Sequence, residues 1–440
     1  MFFLPLVKGW YAVGATTFVT PVRPARLYGS AKRSRNNALS SDQLEPVLCM
    51  EEVAFTAYYP ADTSSATQKG LDWLLRPASV SLKGFSAFAG VSSWLLWPII
   101  YLFGIFVKIP VYTNAPLLRP AFGRSNSETT PPPQWPVVIF SHGLGGSRTA
   151  YSHFCSRLAA SGKVVLAIEH RDGTGHACET RSWLDKGQKI SRPIYYLKEN
   201  QAVWDNQPNT EQAPYPLRVE QLEFRHDEIY IVYRTFSDFL GRAERSVELT
   251  TIDGSEIHDS WTMMDDETGF SPVKHCEDVT LAGHSFGGCT VLSILSTKPP
   301  SEHEPIPTTK ALLLDPWLEP LPTPGPQPYL KAGSDKSIAT SIISDVVKSW
   351  QPGSGNIITL VRSKHQSFSD FPILPFVRTK EAMTHLDVAT SASLAFLDSS
   401  LEHYIEGASK RVMEALVVGV KANGKPKRKL VGSVGEIIVH

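Results

Sequence analysis

The chain has 440 residues, with 43 basic and 43 acidic side chains and a formal net charge of +0; 42% of residues are hydrophobic and 20% charged. This composition is ordinary for a globular protein and excludes the strongly basic balance of a nucleic-acid binder. Five cysteines, Cys49, Cys155, Cys178, Cys276 and Cys289, stand apart without metal-ligand spacing, which suits a reducing, cytoplasmic compartment better than a disulfide framework.

The first 41 residues carry no acidic side chain and Phe2–Leu6 is apolar, which admits a targeting peptide, although Lys8 interrupts the run. Residues 28–48, polar and basic, read as a surface insertion, and EVAFTAYY at 52–59 reads as a strand stopped by Pro60. Between Lys83 and Lys108 there is no charged residue, and residues 94–107 are dense in Trp, Leu, Ile and Phe. That length formally admits a membrane span, but Pro98 and Gly104 interrupt it. The segment 84–110 is therefore read as a lipid-surface element, with a buried lid or core helix and a true span as the alternatives. Association with a membrane would run through 94–107. Residues 123–135 read as a Ser/Thr/Pro-rich loop.

Five apolar runs then end in polar residues: PVVIFSHGLGG at 136–146, VVLAIEHRD at 164–172, DVTLAGHSFGG at 278–288, ALLLDPW at 311–317 and NIITLVRSKH at 356–365. Runs of this kind are strands buried on both faces of a mostly parallel sheet, with helices on either side. Such a sheet carries its functional residues beyond the carboxyl ends of its strands. VLSILS at 291–296 continues with helical spacing; 424–440 is a basic tail, whose segment GKPKRKL at 424–430 reads as solvated.

Gly283-His284-Ser285-Phe286-Gly287 fits G-x-S-x-G between an apolar strand and a helical pattern, the setting of a nucleophile elbow. Chain order in that fold is Ser, acid, His, which leaves His365, His385, His403 and His440 as bases. His385 and His403 lie in helical stretches and His440 at the end; only His365 closes an apolar run and enters a loop. Asp315 ends a buried run, whereas Asp335 and Asp345 lie in polar sequence. Asp315 and His365 are the best fit to the geometry, with a turn-forming aspartate before Pro316 and a plain loop histidine as the bland readings. The oxyanion donors are expected at the amide of Phe286 and at Leu144 in the Gly-rich loop 142–146. His142 is expected to shape that loop and not to act as a base.

These residues resemble the platelet-activating factor acetylhydrolases of the plasma and type II intracellular group. The resemblance rests on FSHGLGGSRTAYS at 140–152, EHRD at 169–172, GHSFGGCTVLSILS at 283–296, ALLLDPWLEPL at 311–321 and ITLVRSKHQSFSDF at 358–371, with KGWYAVGATT at 8–17 and YYP at 58–60. It runs from about residue 8 to about 402 and departs at 28–48, 241–276 and 297–310. It implies one α/β-hydrolase domain over 1–440, Ser285, Asp315 and His365 as the triad, Leu144 and Phe286 at the oxyanion hole, and no metal or cofactor. It also implies a serine esterase acting on the sn-2 acetyl or short, oxidised acyl ester of glycerophospholipids, which are its expected binding partners. A broader lipase or carboxylesterase, and a non-catalytic lipid-binding homologue, are the alternatives.

Overall fold

The computed structural model describes residues 1–439 apart from 35–43, 65–68, 121–132, 184–188, 209–213, 242–246, 265–268, 322–337, 341–355, 409–413, 421–423 and 425. The strands are β1 (Phe2–Phe3), β2 (Val13–Ser34), β3 (Leu44–Pro60), β4 (Lys69–Asp72), β5 (Val107–Thr113), β6 (Trp135–Ser141), β7 (Val164–Glu169), β8 (Ala177–Trp183), β9 (Lys189–Tyr195), β10 (Thr250–Thr251), β11 (Val273–Lys274), β12 (Val279–His284), β13 (Thr308–Leu314), β14 (Ile338–Thr340), β15 (Asn356–Leu360), β16 (Ala415–Val420), β17 (Pro426–Leu430) and β18 (Ile437–Val439). The helices are α1 (Ala78–Ala89), α2 (Ser93–Leu102), α3 (Ser152–Ala160), α4 (Pro216–Leu240), α5 (Phe286–Ser296), α6 (Lys380–Leu397) and α7 (Leu401–Ile405).

The main sheet runs β1-β5-β2-β3-β7-β6-β12-β13-β14-β15-β18. From β7 through β15 every neighbouring pair is parallel; β3 joins β7 and β18 joins β15 antiparallel. This is the expected mostly parallel α/β-hydrolase sheet. Its two faces separate residue by residue, because strand side chains alternate. Val137, Ile139, Leu166, Ile168, Leu281 and Leu313 enter one core with Phe224, Ile229, Val291 and Leu292 of α4 and α5. Val138, Phe140, Val165, Ala167, Ala282 and Leu312 enter the other with Phe154, Leu158, Ala389 and Phe396 of α3 and α6. All six residues of β12 are buried, so the nucleophile strand has no solvated face.

Several expectations need correction. Residues 28–34 and 44–48 lengthen the β2–β3 hairpin, in which Lys32 pairs with Pro46 and Ala31 and Leu48 are buried. Most of 123–135 lies outside the described residues, and Trp135 already begins β6. Beyond the basic segment 424–430 the tail returns to the fold: β18 closes the sheet against β15, with Ile438 buried. The apolar stretch is no core helix, since Ile100 is the one buried residue of α2. Nor does any helix among the described residues have the length and apolarity to cross a membrane.

Candidate active site

Ser285 occupies the turn from β12 into α5 with φ 56° and ψ −122°, a backbone state that costs a non-glycine residue on the order of 1–3 kcal/mol. The neighbours hold it there. Its amide donates to Leu314 O (3.1 Å), and its carbonyl accepts from Trp317 N (3.0 Å) and Cys289 N (3.1 Å). The flanking glycines are required by space. A Cβ on Gly287 would stand 2.0 Å from Ser141 O, and one on Gly283 would stand 2.3 Å from Gly287 O.

Asp315 follows the last residue of β13 and also has positive φ, 41°. His365 stands five residues beyond β15 rather than at its end, and opens a short 3-10 turn over His365–Phe368. Its Nδ1 lies 2.6 Å from Asp315 Oδ2 and its Nε2 2.8 Å from Ser285 Oγ. A carboxylate only accepts, so Nδ1 carries the proton and Nε2 is free to accept from the serine hydroxyl. The arrangement can therefore draw a proton from Ser285 as its oxygen attacks an electrophile. Ser285 is 6% exposed, whereas the His365 side chain is 52% exposed and that of Asp315 33%, so the relay opens outward.

The competing residues lie elsewhere. His385 is buried in α6 with Nε2 against Val361 O (3.2 Å), and His403 is exposed beside Glu406 on α7. Asp335, Asp345 and His440 lie outside the described residues.

Loop 142–146 arches over the nucleophile: a Cβ on Gly143 would stand 2.7 Å from Ser285 Cβ. The loop is pinned by Gly145 N to Thr174 O (2.8 Å) and Gly146 N to Gly143 O (3.1 Å). His142 Nδ1 donates to Gly143 O (2.8 Å) while its Nε2 accepts from His170 N (3.3 Å). Burial, with Arg225 close by, pushes its pKa down to about 3. Both ring nitrogens are occupied, which fits a loop-shaping residue.

Two further groups were not legible beforehand. The fully buried Arg225 donates Nε to Asp172 Oδ2 (2.8 Å) and Nη1 to His142 O (2.9 Å), and its guanidinium lies 4.6 Å from the centre of the Phe286 ring. One side chain thus touches both segments expected to supply oxyanion donors. His284 donates Nε2 to His365 O (2.9 Å) and accepts at Nδ1 from the Tyr151 hydroxyl (2.8 Å). The Tyr151 oxygen in turn accepts from Gly143 N (3.4 Å). Burial, with His365 next to it, pushes the His284 pKa down to about 3, so its ring is neutral. His284, Asp315 and His365 could offer three metal-ligand atoms within 4.8 Å of one another. The nitrogens of both rings and Asp315 Oδ2 are instead engaged in hydrogen bonds within the protein. No signal in a single sequence marks Tyr151, Arg225 or the tasks of His284.

The family profile of platelet-activating factor acetylhydrolase, isoform II, matches residues 3–410. The dog platelet-activating factor acetylhydrolase (Canis lupus familiaris) is 27% identical over 390 residues, covering 82% of this chain and 77% of its own. The cattle protein of that name (Bos taurus) is 29% identical over 362 residues, covering 78% and 71%. A putative phospholipase A2 of Schizosaccharomyces pombe is 28% identical over 255 residues, covering 57% and 52%. The chain belongs to the platelet-activating factor acetylhydrolase, isoform II, family.

Proposed function

From that membership we infer a carboxylic ester hydrolase of phospholipids, and we propose that it cleaves the sn-2 acetyl or short, oxidised acyl ester through an acyl-enzyme on Ser285. The observation that carries the mechanism is the continuous contact Ser285–His365–Asp315, with the His365 tautomer fixed by the carboxylate. Ser285 Oγ attacks the ester carbonyl while His365 Nε2 takes its proton. The amides of Leu144 and Phe286 stabilise the developing oxyanion. His365 then protonates the departing lysophospholipid oxygen, and water enters by the same route in reverse to release the fatty acid.

Substrate of this class resides in bilayers and aggregates, so the enzyme must meet a surface. On α2, Trp94 is 72% exposed, Ile99 58% and Trp97 50%, an apolar face of the kind that docks on lipid. The helix before it reaches the catalytic loop. Phe88 of α1 fills the space over Gly145, where a Cβ would stand 2.5 Å from its ring, and Phe85 stacks on His176 at 3.9 Å. A lipid lifted at α2 would thus enter beside the oxyanion loop.

The test has two parts. A fluorophosphonate probe should label wild type at Ser285 and not Ser285→Ala; labelling elsewhere, or none with turnover present, rejects the acyl-enzyme. Turnover of phosphatidylcholines graded by sn-2 chain length should fall steeply from acetyl to long saturated chains. A flat profile would favour the broader lipase or carboxylesterase.

A further inference from the structure

The β16–β17 ribbon lies beyond the family match, which ends at residue 410. Among the described residues its two strands pair with each other and with no other strand. All six residues of β16, ALVVGV, are exposed: Leu416 63%, Val417 63%, Val418 51% and Val420 70%. An isolated two-stranded ribbon is marginal in water at best, and an exposed apolar strand in one marks a contact surface. Its partner strand supplies charge. Leu416 stands opposite Lys429 and Gly419 opposite Lys427, and opposite residues of an antiparallel pair project to the same side. From 415 to 430 the sequence holds five basic residues and no acidic one. Apolar side chains interleaved with cations complement a hydrocarbon surface bearing anionic headgroups.

We propose that this ribbon is a second docking element, selective for anionic lipid surfaces. The proposal rests on the reading that the enzyme works at a lipid surface. It supplies what α2 lacks, since no charged residue lies between Lys83 and Lys108. Gly435, just past the ribbon, packs on Thr384 and Val388 in the first half of α6. The chain entering α6 passes Phe376, whose ring lies 4.6 Å from that of Phe103 at the end of α2 and 4.7 Å from that of Phe2.

The experiment is vesicle flotation of the full chain with phosphatidylcholine alone and with added phosphatidylserine, at low and high salt. Wild type should bind the phosphatidylserine vesicles about tenfold more tightly at low salt and lose that gain at high salt. Lys427→Glu/Lys429→Glu should lose the gain while keeping neutral-vesicle binding and turnover of a soluble ester, which reports the fold. Leu416→Ser, on the face of Lys427 and Lys429, should weaken binding to the anionic vesicles with the same turnover retained. A wild type without headgroup preference overturns the proposal, as does a charge-reversed variant that keeps the preference. Light scattering that shows the ribbon variants to change oligomeric state and not vesicle binding would assign the free strand edge to a second copy instead. The α2 reading fails differently, by unchanged binding of Trp94/Trp97 variants to neutral vesicles.

Discussion

The ring of His284 holds the backbone of His365: Nε2 of the residue before the nucleophile donates to the carbonyl of the base at 2.9 Å. That bond requires the proton on Nε2, and the Tyr151 hydroxyl enforces it by donating to Nδ1. The same tyrosine oxygen accepts the Gly143 amide. Elbow, base and oxyanion loop are thus coupled through one buried chain of hydrogen bonds.

Tyr151→Phe keeps the ring packed on Phe140 and His284 but strands a buried imidazole nitrogen and an amide. An unmet buried polar group costs about 1–3 kcal/mol. We expect kcat on a soluble ester to fall about tenfold or more with KM little changed, because the substrate is not touched. A fall in thermal stability with unchanged kcat would reduce Tyr151 to a packing residue.

Ser285→Ala should lower turnover by about 10⁶ and leave vesicle binding intact. Activity of more than a few per cent in a pure preparation would place the nucleophile elsewhere.

Asp315→Asn presents an amide in place of the acceptor that fixes the His365 tautomer. Turnover should fall by about 10⁴ with the fold retained. A milder loss, matched by a severe one in Asp335→Asn or Asp345→Asn, would move the acid.

The parts of this site that the sequence disclosed are those under local constraint. The elbow needs Gly283 and Gly287 because any Cβ there meets backbone, and Asp315 is marked by the apolar strand it ends. Tyr151, His284 and Arg225 were illegible as a network because their partners lie far along the chain, 133 residues apart for Tyr151 and His284 and 83 for Arg225 and His142. β18 escaped notice for a similar reason. Three residues in a polar, basic tail carry no period, and only β15 makes them a strand. The hairpin arms at 28–34 and 44–48 read as an insertion because their outer residues are polar, and the few inward ones, such as Ala31 and Leu48, are too sparse to show a pattern.

Acid should unfold the protein steeply. Burial holds seven histidines, His142, His153, His170, His176, His226, His275 and His284, below their ordinary value of 6.5. Such a group stays neutral in the fold but takes a proton once unfolded, so stability falls as pH drops through about 6.5. Three buried carboxyls oppose this, Glu169, Glu228 and Asp370, whose values burial raises, the last to about 6. The histidines outnumber these carboxyls, so unfolding takes up protons as pH falls below about 6.5 and stability falls with it. Urea midpoints taken from about pH 7.5 to 5 should fall steadily; a flat profile would mean that the histidines take up protons in the fold against ionised carboxylates.

A lipid-facing α2 and a structural one respond differently to substitution. In α2, Trp94, Leu95, Trp97, Ile99 and Leu102 are exposed while Ile100 is buried. Trp97 also stacks on Tyr101 at 5.3 Å and stays 50% exposed. Burying a large apolar side chain contributes about 1.5–3 kcal/mol, so Trp94→Ala/Trp97→Ala should weaken binding to neutral phosphatidylcholine vesicles by at least about tenfold. Turnover of a soluble short-chain ester should change little, because Ser285, Asp315 and His365 lie on other elements. Ile100→Ala is the contrast: it opens a cavity against Leu74 and Val107 in the second core and should cost about 2–5 kcal/mol of stability. Vesicle sedimentation, a soluble-ester assay and a thermal melt on the same three proteins decide the matter. Equal loss in both assays for the tryptophan variant would make α2 a structural helix. Unchanged vesicle binding would move the lipid contact off α2.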